Sequence, residues 1–349
     1  MSIPTPQQLF VEVTSNCNLR CPHCYVEAGS GRLRQIPLVA LTELTAEFAS
    51  MNGSRFTLSG GEPTLFKPWR ETLLRARACG LEAEIITNAT RLTDEDIDFL
   101  HRNRILIDIS LESMDEKTND AIRGSGAFAK TKDALMRIAR AGLGPMTTVC
   151  FTPMAANADS LRDIAHWSEG IGIGRVYISL LEDRGRALAN KIDVHMNATQ
   201  RYQLLETVID LQAKNDITVI CPNLRFFPER VLGRRVQVAT IDRTVRVTAD
   251  MDIYLSAYLD HRNFHLGRYT PGGLVGAWYN EKVHRAYLAA KSRERLIPDC
   301  RRCNIFELCQ GGSAMLAWNE ASGFYSVDNF CDTKQQFARN HSLLETPAC

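Results

Sequence analysis

The stretch TSNCNLRCPHCYVEAG, residues 14–29, places Cys17, Cys21 and Cys24 within eight positions, directly after the apolar run LFVEV. A structural zinc site uses four ligands, and no fourth ligand has the usual zinc spacing, although His23 lies inside the loop. Three thiolates on a tight loop suit three irons of a 4Fe-4S cluster and leave the fourth iron open. The stretch therefore predicts an iron–sulfur site after the first strand.

The composition bounds the class of protein. The chain has 349 residues, of which 45% are hydrophobic, and 41 Lys and Arg against 40 Asp and Glu give a net charge of +1. This balance gives no electrostatic reason to expect a nucleic-acid or membrane partner. No apolar run approaches the length of about 20 residues that spans a membrane, and no signal peptide is evident. We expect a cytoplasmic protein with reduced, metal-binding cysteine clusters.

Short apolar strands alternate with helical patterns from residue 9 to about residue 215. Six such units predict a parallel α/β sheet with right-handed crossovers. They are too few to close an eight-fold barrel, so we expect an open, partial (β/α)6 barrel with its active site at the carboxyl ends of the strands. The candidate strands are LFVEVT (9–14), RFTLSG (55–60), AEIITN (83–88), ILIDISLE (105–112), MTTVCFT (146–152) and RVYISLL (175–181).

Side chains alternate between an apolar and a polar face along these strands. Successive side chains of a strand point to opposite faces, so we expect the apolar face to meet the helices and the polar face to line the lumen. The alternative is that some of the polar groups satisfy one another. A buried carboxylate needs a partner, so we expect four lumen carboxylates to bind substrate: Glu12, Glu84, Asp108 and Glu112.

Several segments together resemble the radical S-adenosylmethionine (SAM) superfamily over essentially the whole chain. CNLRCPHC has the CxxxCxxC pattern of that superfamily. SGGEPT (59–64) resembles its GGEP motif, TNAT (87–90) its TNG-type turns, and SLESMDEKTNDAIRGSGAF (110–128) its SLDG…D…RG segment. The resemblance implies a 4Fe-4S cluster whose open iron binds SAM, and cleavage of SAM to a 5′-deoxyadenosyl radical that abstracts a hydrogen atom from substrate.

The resemblance also implies roles for individual residues. Cys17, Cys21 and Cys24 are the implied cluster ligands. Glu62 is expected to hold the ammonium of the methionine moiety, and Arg123 its carboxylate, while Glu112 stands where the family usually has Asp. The full set of expected SAM contacts is His23, Ser59, Gly60, Gly61, Glu62, Pro63, Asn88, Ser110 and Arg123.

A second cysteine cluster lies near the C-terminus, in CRRCNIFELCQGGSAM (300–315) and DNFCDT. It resembles the SPASM domain, which holds two auxiliary clusters. Ser256 and Ser313 stand at family cysteine positions, so the resemblance implies one auxiliary 4Fe-4S cluster here and two clusters in all; zinc is the alternative. The expected auxiliary ligands are Cys300, Cys303, Cys309 and Cys331. The expected domains are the barrel, 1–225, and a SPASM/twitch-like domain, 226–349.

Cys150 and Cys221 are two further cysteines near the expected lumen. A thiol is a good hydrogen-atom donor to a carbon radical, so either is a candidate catalytic residue for an epimerase. The alternative is that both are small buried hydrophobic residues. Cys79 and Cys349 are expected to be inert.

The substrate is the least determined feature. The first strand is predicted to begin near residue 9, so we expect no N-terminal peptide-recognition domain, and the predicted lumen is rich in carboxylates. We expect a small polar substrate, an amino sugar or aminocyclitol of secondary metabolism, that is dehydrogenated or epimerised at a carbinol carbon. A one-electron reductant such as flavodoxin or ferredoxin is the expected partner. The alternative is a peptide-modifying maturase that forms a crosslink, thioether or epimer.

Overall fold

The structure, a computed structural model, describes residues 3–181, 184–189, 194–214, 217–221, 226, 241–259 and 261–343. Its strands form one sheet in the order β10-β9-β8-β1-β2-β3-β4-β5-β6-β7. The strands are Gln8–Glu12 (β1), Arg55–Ser59 (β2), Glu82–Thr87 (β3), Leu106–Ser110 (β4), Thr147–Phe151 (β5), Arg175–Ile178 (β6), Thr218–Ile220 (β7), Thr244–Val247 (β8), Asp252–Leu255 (β9) and His265–Arg268 (β10).

Helices follow most of the parallel strands and cover the outer face of the sheet. Those of the first part are Leu38–Ser50 (α1), Trp69–Ala78 (α2), Asp94–Arg102 (α3), Glu116–Arg123 (α4), Ala127–Arg140 (α5), Leu161–Gly170 (α6), Gly185–Ala189 (α7) and Ala198–Lys214 (α8). Those that follow β10 are Leu274–Trp278 (α9), Glu281–Leu296 (α10), Phe306–Cys309 (α11), Ala314–Ala317 (α12) and Cys331–Asn340 (α13).

The predicted α/β partial barrel is confirmed. Each strand from β1 to β6 pairs in parallel with the next strand in the chain, and β7 continues the series. The apolar face of the strands is fully buried, as at Val11, Leu58, Ile85, Ile107 and Val149. Parallel strands bring their carboxyl ends to one edge of the sheet, and the loops at that edge hold the candidate site.

The sheet extends beyond the six predicted units. β8 pairs in parallel with β1, and β9 and β10 continue from β8 in antiparallel fashion. The segments TVRVT (244–248) and MDIYLS (251–256), which fall within the predicted C-terminal domain, therefore lengthen the barrel sheet. The expected boundary at residue 225 lies outside the described residues, and the division at that point stays a prediction.

The C-terminal segment packs on the barrel through α13. The Phe337 ring contacts the rings of Tyr202 on α8 and of Phe226, and Asn340 donates a hydrogen bond to the Tyr202 hydroxyl at 2.8 Å. Phe337 belongs to the same apolar core as the strands. Among the described helices, none combines the length and the apolar composition needed to cross a bilayer.

Candidate functional site

The cysteine loop after β1 lies directly against the GGEP segment after β2. The Gly61 amide donates to the Thr14 carbonyl at 2.7 Å, and the Glu62 amide donates to the Asn16 carbonyl at 2.7 Å. A Cβ atom at Gly60 would lie 2.6 Å from the Thr14 carbonyl oxygen, and one at Gly61 would lie 2.1 Å from that of Asn16. We expected these glycines to admit a ligand. In the structure they admit the backbone of the cysteine loop.

The three loop cysteines are largely shielded from solvent. Cys21 is buried, and Cys17 and Cys24 are half-buried. The Leu19 amide donates to the Cys17 Sγ and the Ala28 amide to the Cys24 Sγ, each at 3.4 Å. Burial raises the pKa of Cys17 to about 11. Metal binding requires thiolates, and amide donors of this kind stabilise them.

Helix α7, which follows β6, holds the cysteine loop from the other side. The Arg186 guanidinium donates to the Cys21 carbonyl at 2.8 Å and to the Ala28 carbonyl at 2.9 Å. The Arg186 amide donates to the Cys24 carbonyl at 3.0 Å. Sequence reasoning missed this residue, because a five-residue helix is too short for a periodic signal.

Glu62 connects the ends of β2 and β3. Its Oε1 accepts hydrogen bonds from the Thr64 amide and hydroxyl and from the Thr87 hydroxyl, at 2.7 to 3.1 Å. Its Oε2 accepts one bond from the Asn88 amide at 2.8 Å. Burial raises the pKa of this carboxyl. Each carboxylate oxygen offers two lone pairs, so Oε2 can still accept a bond from a ligand ammonium. Pro63 begins a short 3₁₀ turn that Glu62 caps.

The TNAT turn is tied to the cysteine loop. The Asn88 side-chain amide donates to Asn18 Oδ1 at 3.0 Å, and the Asn18 amide donates to the Thr90 hydroxyl at 2.8 Å. Ala89 has a φ of 58°, the left-handed conformation that glycine adopts most easily. This turn therefore places the predicted cofactor contact Asn88 beside the cysteine loop.

Arg123 and Glu112 form a buried ion pair beside the cluster loop. The Arg123 guanidinium donates twice to Glu112 Oε1, at 3.1 and 2.6 Å. The Thr152 amide donates to Glu112 Oε2 at 2.9 Å. Burial raises the pKa of the Cys21 thiol, and the positive charge of Arg123 opposes that shift. Glu112 therefore orients the Arg123 side chain, and its expected role in substrate binding stays a prediction.

His23 lies against the same pair. Its Nε2 is 3.5 Å from Glu112 Oε1, and burial lowers its pKa to about 4, so the imidazole is neutral. Its Nδ1 is buried and has no hydrogen-bond partner among the described residues. A buried polar atom without a partner is costly unless a ligand or water satisfies it. The loop thus fits a polar cofactor next to its third cysteine.

Ser59 and Ser110, two further expected SAM contacts, end β2 and β4. The Ser59 carbonyl accepts the Val13 amide at 3.0 Å. Ser110 lies opposite Cys150 in the register of β4 and β5. Both residues therefore reach the carboxyl edge of the sheet, where the cysteine loop lies.

Two lumen carboxylates already have partners within the protein. Glu12 Oε1 lies 3.2 Å from Nε of Arg246 on β8, and both side chains are buried. Glu84 accepts a hydrogen bond from the Thr57 hydroxyl at 2.6 Å and lies 3.6 Å from the Arg55 guanidinium. Glu12 and Glu84 therefore each have a polar partner within the protein, as the alternative interpretation of the strand pattern predicted for some of these groups.

Asp108 and Cys150 form a second polar group in the lumen. Burial, followed by the charge of Glu84, raises the pKa of Asp108 to about 8. Burial and the Asp108 charge raise the pKa of the Cys150 thiol. Cys221 directly follows β7, is half-buried and packs against the apolar core. Burial raises the pKa of Tyr177, and the nearby thiols of Cys150 and Cys221 raise it further. The two candidate donors thus lie near Tyr177 on β6.

The four C-terminal cysteines line one cavity, which Lys334 and Asp328 also line. The Ser313 hydroxyl, at a family cysteine position, caps α12 by accepting the Leu316 amide at 3.4 Å. The Ser313 hydroxyl therefore has a structural role as a helix cap. The arrangement brings together the four predicted ligands: Cys300, Cys303, Cys309 and Cys331.

Comparison with known proteins agrees with this geometry. Residues 11–167 match the Radical SAM superfamily. These residues are a radical SAM domain. Proteins of this superfamily bind a 4Fe-4S cluster and SAM, and these are the cofactors of this domain.

Relatives extend the similarity beyond the radical SAM domain. Mycofactocin maturase MftC of Mycolicibacterium smegmatis is 26% identical over 318 residues, which cover 89% of this chain and 78% of the relative. PqqA peptide cyclase of Ruegeria pomeroyi is 24% identical over 357 residues, which cover 99% and 92%. The fold matches native anSMEcpe with bound AdoMet at a TM-score of 0.78 and 17% identity, over 97% of this chain and 98% of that chain.

Proposed function

We propose that this radical SAM enzyme modifies a peptide substrate. A maturase and a peptide cyclase are similar to it over most of their length. These relatives support the peptide alternative rather than the amino sugar or aminocyclitol that the sequence suggested. The modification we propose is oxidative: a crosslink or thioether, formed with loss of two hydrogen atoms from the peptide.

The pairing of the lumen carboxylates carries this proposal. A cationic polyol was expected because buried carboxylates need partners. Glu12 lies against Arg246, Glu84 accepts from Thr57, and Glu112 binds Arg123. Asp108 is mostly protonated near neutral pH and carries little negative charge, because its pKa is raised to about 8. Three of the four carboxylates expected to bind substrate thus have a polar partner among the described residues, which weakens the case for an amino sugar.

The residues of the cysteine loop fit the cofactors of the superfamily. Cys17, Cys21 and Cys24 would hold the 4Fe-4S cluster and leave one iron for SAM. When bound, these cofactors supply a 5′-deoxyadenosyl radical that removes a hydrogen atom from substrate. Glu62 offers Oε2 to the ammonium of SAM, and Arg123, fixed by Glu112, offers its charge to the carboxylate.

The C-terminal cysteines fit an auxiliary 4Fe-4S cluster, with zinc as the alternative occupant. All four ligand positions are filled from the protein, so we propose electron transfer rather than substrate binding there. After hydrogen abstraction the peptide radical must lose one electron and one proton to give the oxidised product, and this cluster would receive the electron. A flavodoxin or ferredoxin would supply the electron that cleaves SAM. The four C-terminal cysteines complete the ligand set of the cluster, so no thiolate from another molecule is needed.

Mass spectrometry of peptides tests the proposal. The reconstituted protein is incubated anaerobically with SAM, a strong reductant and synthetic peptides encoded beside its gene. We expect one peptide to lose two hydrogen atoms, while protein with Cys17, Cys21 and Cys24 changed to Ala leaves it intact. Parallel incubations contain aminocyclitols and amino sugars. Oxidation of an aminocyclitol or amino sugar with every peptide unchanged would refute the proposal. In deuterated water, a peptide that gains one deuterium instead of losing two hydrogen atoms would show that the reaction is an epimerisation and not an oxidation.

A further inference from the structure

A lysine and an aspartate form a buried ion pair beside the four C-terminal cysteines. Lys334 Nζ lies 2.7 Å from Asp328 Oδ2, and each side chain is only 1% exposed. Both residues line the cavity that the cysteines surround. The pair therefore places a fixed charge of each sign against the proposed auxiliary cluster.

The backbone around the cavity fixes Asp328. Its Oδ2 also accepts the Ser313 amide at 2.8 Å, and its Oδ1 accepts the Phe330 amide at 3.0 Å. A Cβ atom at Gly312 would lie 2.1 Å from Oδ2, so the second glycine of QGGS admits this carboxylate. Because two backbone amides hold the Asp328 carboxylate, the position of the Lys334 ammonium is set as well.

The sequence gives this pair no role in ligation, and a buried ion pair by itself contributes little net stability. Net charge near an iron–sulfur cluster is, however, one of the factors that set its reduction potential. Reduction adds one negative charge to the cluster. A nearby cation stabilises the reduced form and a nearby anion destabilises it, most strongly where water is excluded.

We propose that Lys334 and Asp328 set the reduction potential of the auxiliary cluster, with Lys334 raising it and Asp328 lowering it while holding the ammonium in place. This inference rests on the proposed 4Fe-4S assignment of Cys300, Cys303, Cys309 and Cys331. It concerns electron acceptance at that cluster and does not depend on the identity of the substrate.

A redox titration monitored by electron paramagnetic resonance tests the proposal on the full-length, reconstituted protein. Lys334→Met should shift the midpoint potential of the auxiliary cluster to a more negative value. Asp328→Asn should shift it to a more positive value. Lys130→Met, on the exposed surface of α5, is the matched control and should leave the potential unchanged. A merely structural pair would not produce shifts of opposite sign.

Iron and zinc contents are measured on the same samples. Shifts in one direction for both variants, or no shift, would overturn the proposal, as would zinc in place of the auxiliary cluster. If Lys334→Met does not retain iron, Asp328→Asn decides alone, because a positive shift is required of it. Failure of the peptide assay with opposite shifts intact would reject the proposed substrate and still support the ion-pair proposal.

Discussion

Asp108 lies in the lumen beside Glu84, Thr148 and Cys150. Its pKa is raised from the ordinary value of 3.8 to about 8, first by burial and then by the Glu84 charge. A carboxyl group with a raised pKa binds its proton more tightly in the folded protein than in the unfolded chain. Its contribution to stability is therefore complete at low pH and is lost as the pH rises toward about 8.

Asp108→Asn removes this pH dependence, because an amide cannot ionise. We expect the variant to gain stability relative to the wild type as the pH rises from about 4 to about 8, with a larger gain at about pH 8.5 than at about pH 5. Anaerobic denaturant unfolding at both pH values measures the difference. Asp163→Asn, on the exposed surface of α6, is the control. An equal effect of Asp108→Asn at both pH values would contradict the raised pKa.

At the scale of single residues, strand alternation correctly predicted which polar side chains face the lumen, because the period of a strand is fixed by geometry. It did not predict their partners. Arg246 reaches Glu12 from β8, and Arg123 reaches Glu112 from α4. No local pattern specifies which distant arginine meets which carboxylate, so free substrate ligands were expected where ion pairs lie.

The cysteine loop illustrates the scale of elements. It is an irregular segment whose backbone groups are satisfied by its neighbours: by the GGEP segment after β2 on one side and by α7 on the other. Arg186 alone provides three of these bonds, counting its backbone amide. Long irregular loops without such partners are usually mobile, so α7 should keep the cysteines in place.

Arg186→Ala removes the side-chain bonds to the Cys21 and Ala28 carbonyls and to the Ser30 hydroxyl, and it leaves the cysteines unchanged. We expect the variant to fold and to bind the radical SAM cluster, but to lose iron from it faster under chelation. Bleaching of the visible absorption in the presence of a chelator measures the rate. Arg140→Ala, at the exposed end of α5, should behave as the wild type. Equal iron loss in the two variants would show that Arg186 does not hold the loop.

The elements themselves were largely predictable. Four of the six barrel strands lie within their predicted segments, and β1 and β3 begin one residue before theirs. Helical spacing of apolar residues predicted helices over 37–51, 94–103, 129–142 and 160–170. Helices α1, α3, α5 and α6 agree with these ranges to within about two residues, which is the usual uncertainty of helix ends. Helix α4 was not predicted, because its segment EKTNDAIR is mostly polar. Periodicity identifies elements that bury a broad apolar face, and α4 buries few apolar residues.

At the scale of the molecule, the position of β8 and β9 was not predictable. Both are short apolar strands, and their sequences fit either an independent domain or an extended sheet. Pairing with β1 joins residues far apart in the chain, which local patterns do not encode. The consequence for function is direct, since β8 brings Arg246 into the lumen beside Glu12.

The ligand assignment of the whole molecule is most directly tested by counting iron and acid-labile sulfide after anaerobic reconstitution. Each set of cysteines should hold four irons, so wild-type protein should contain about eight irons and eight sulfides. Changing Cys17, Cys21 and Cys24 to Ala should leave about four of each, and changing Cys300, Cys303, Cys309 and Cys331 to Ala should also leave about four. A wild-type content near twelve, or one near four with bound zinc, would contradict the assignment.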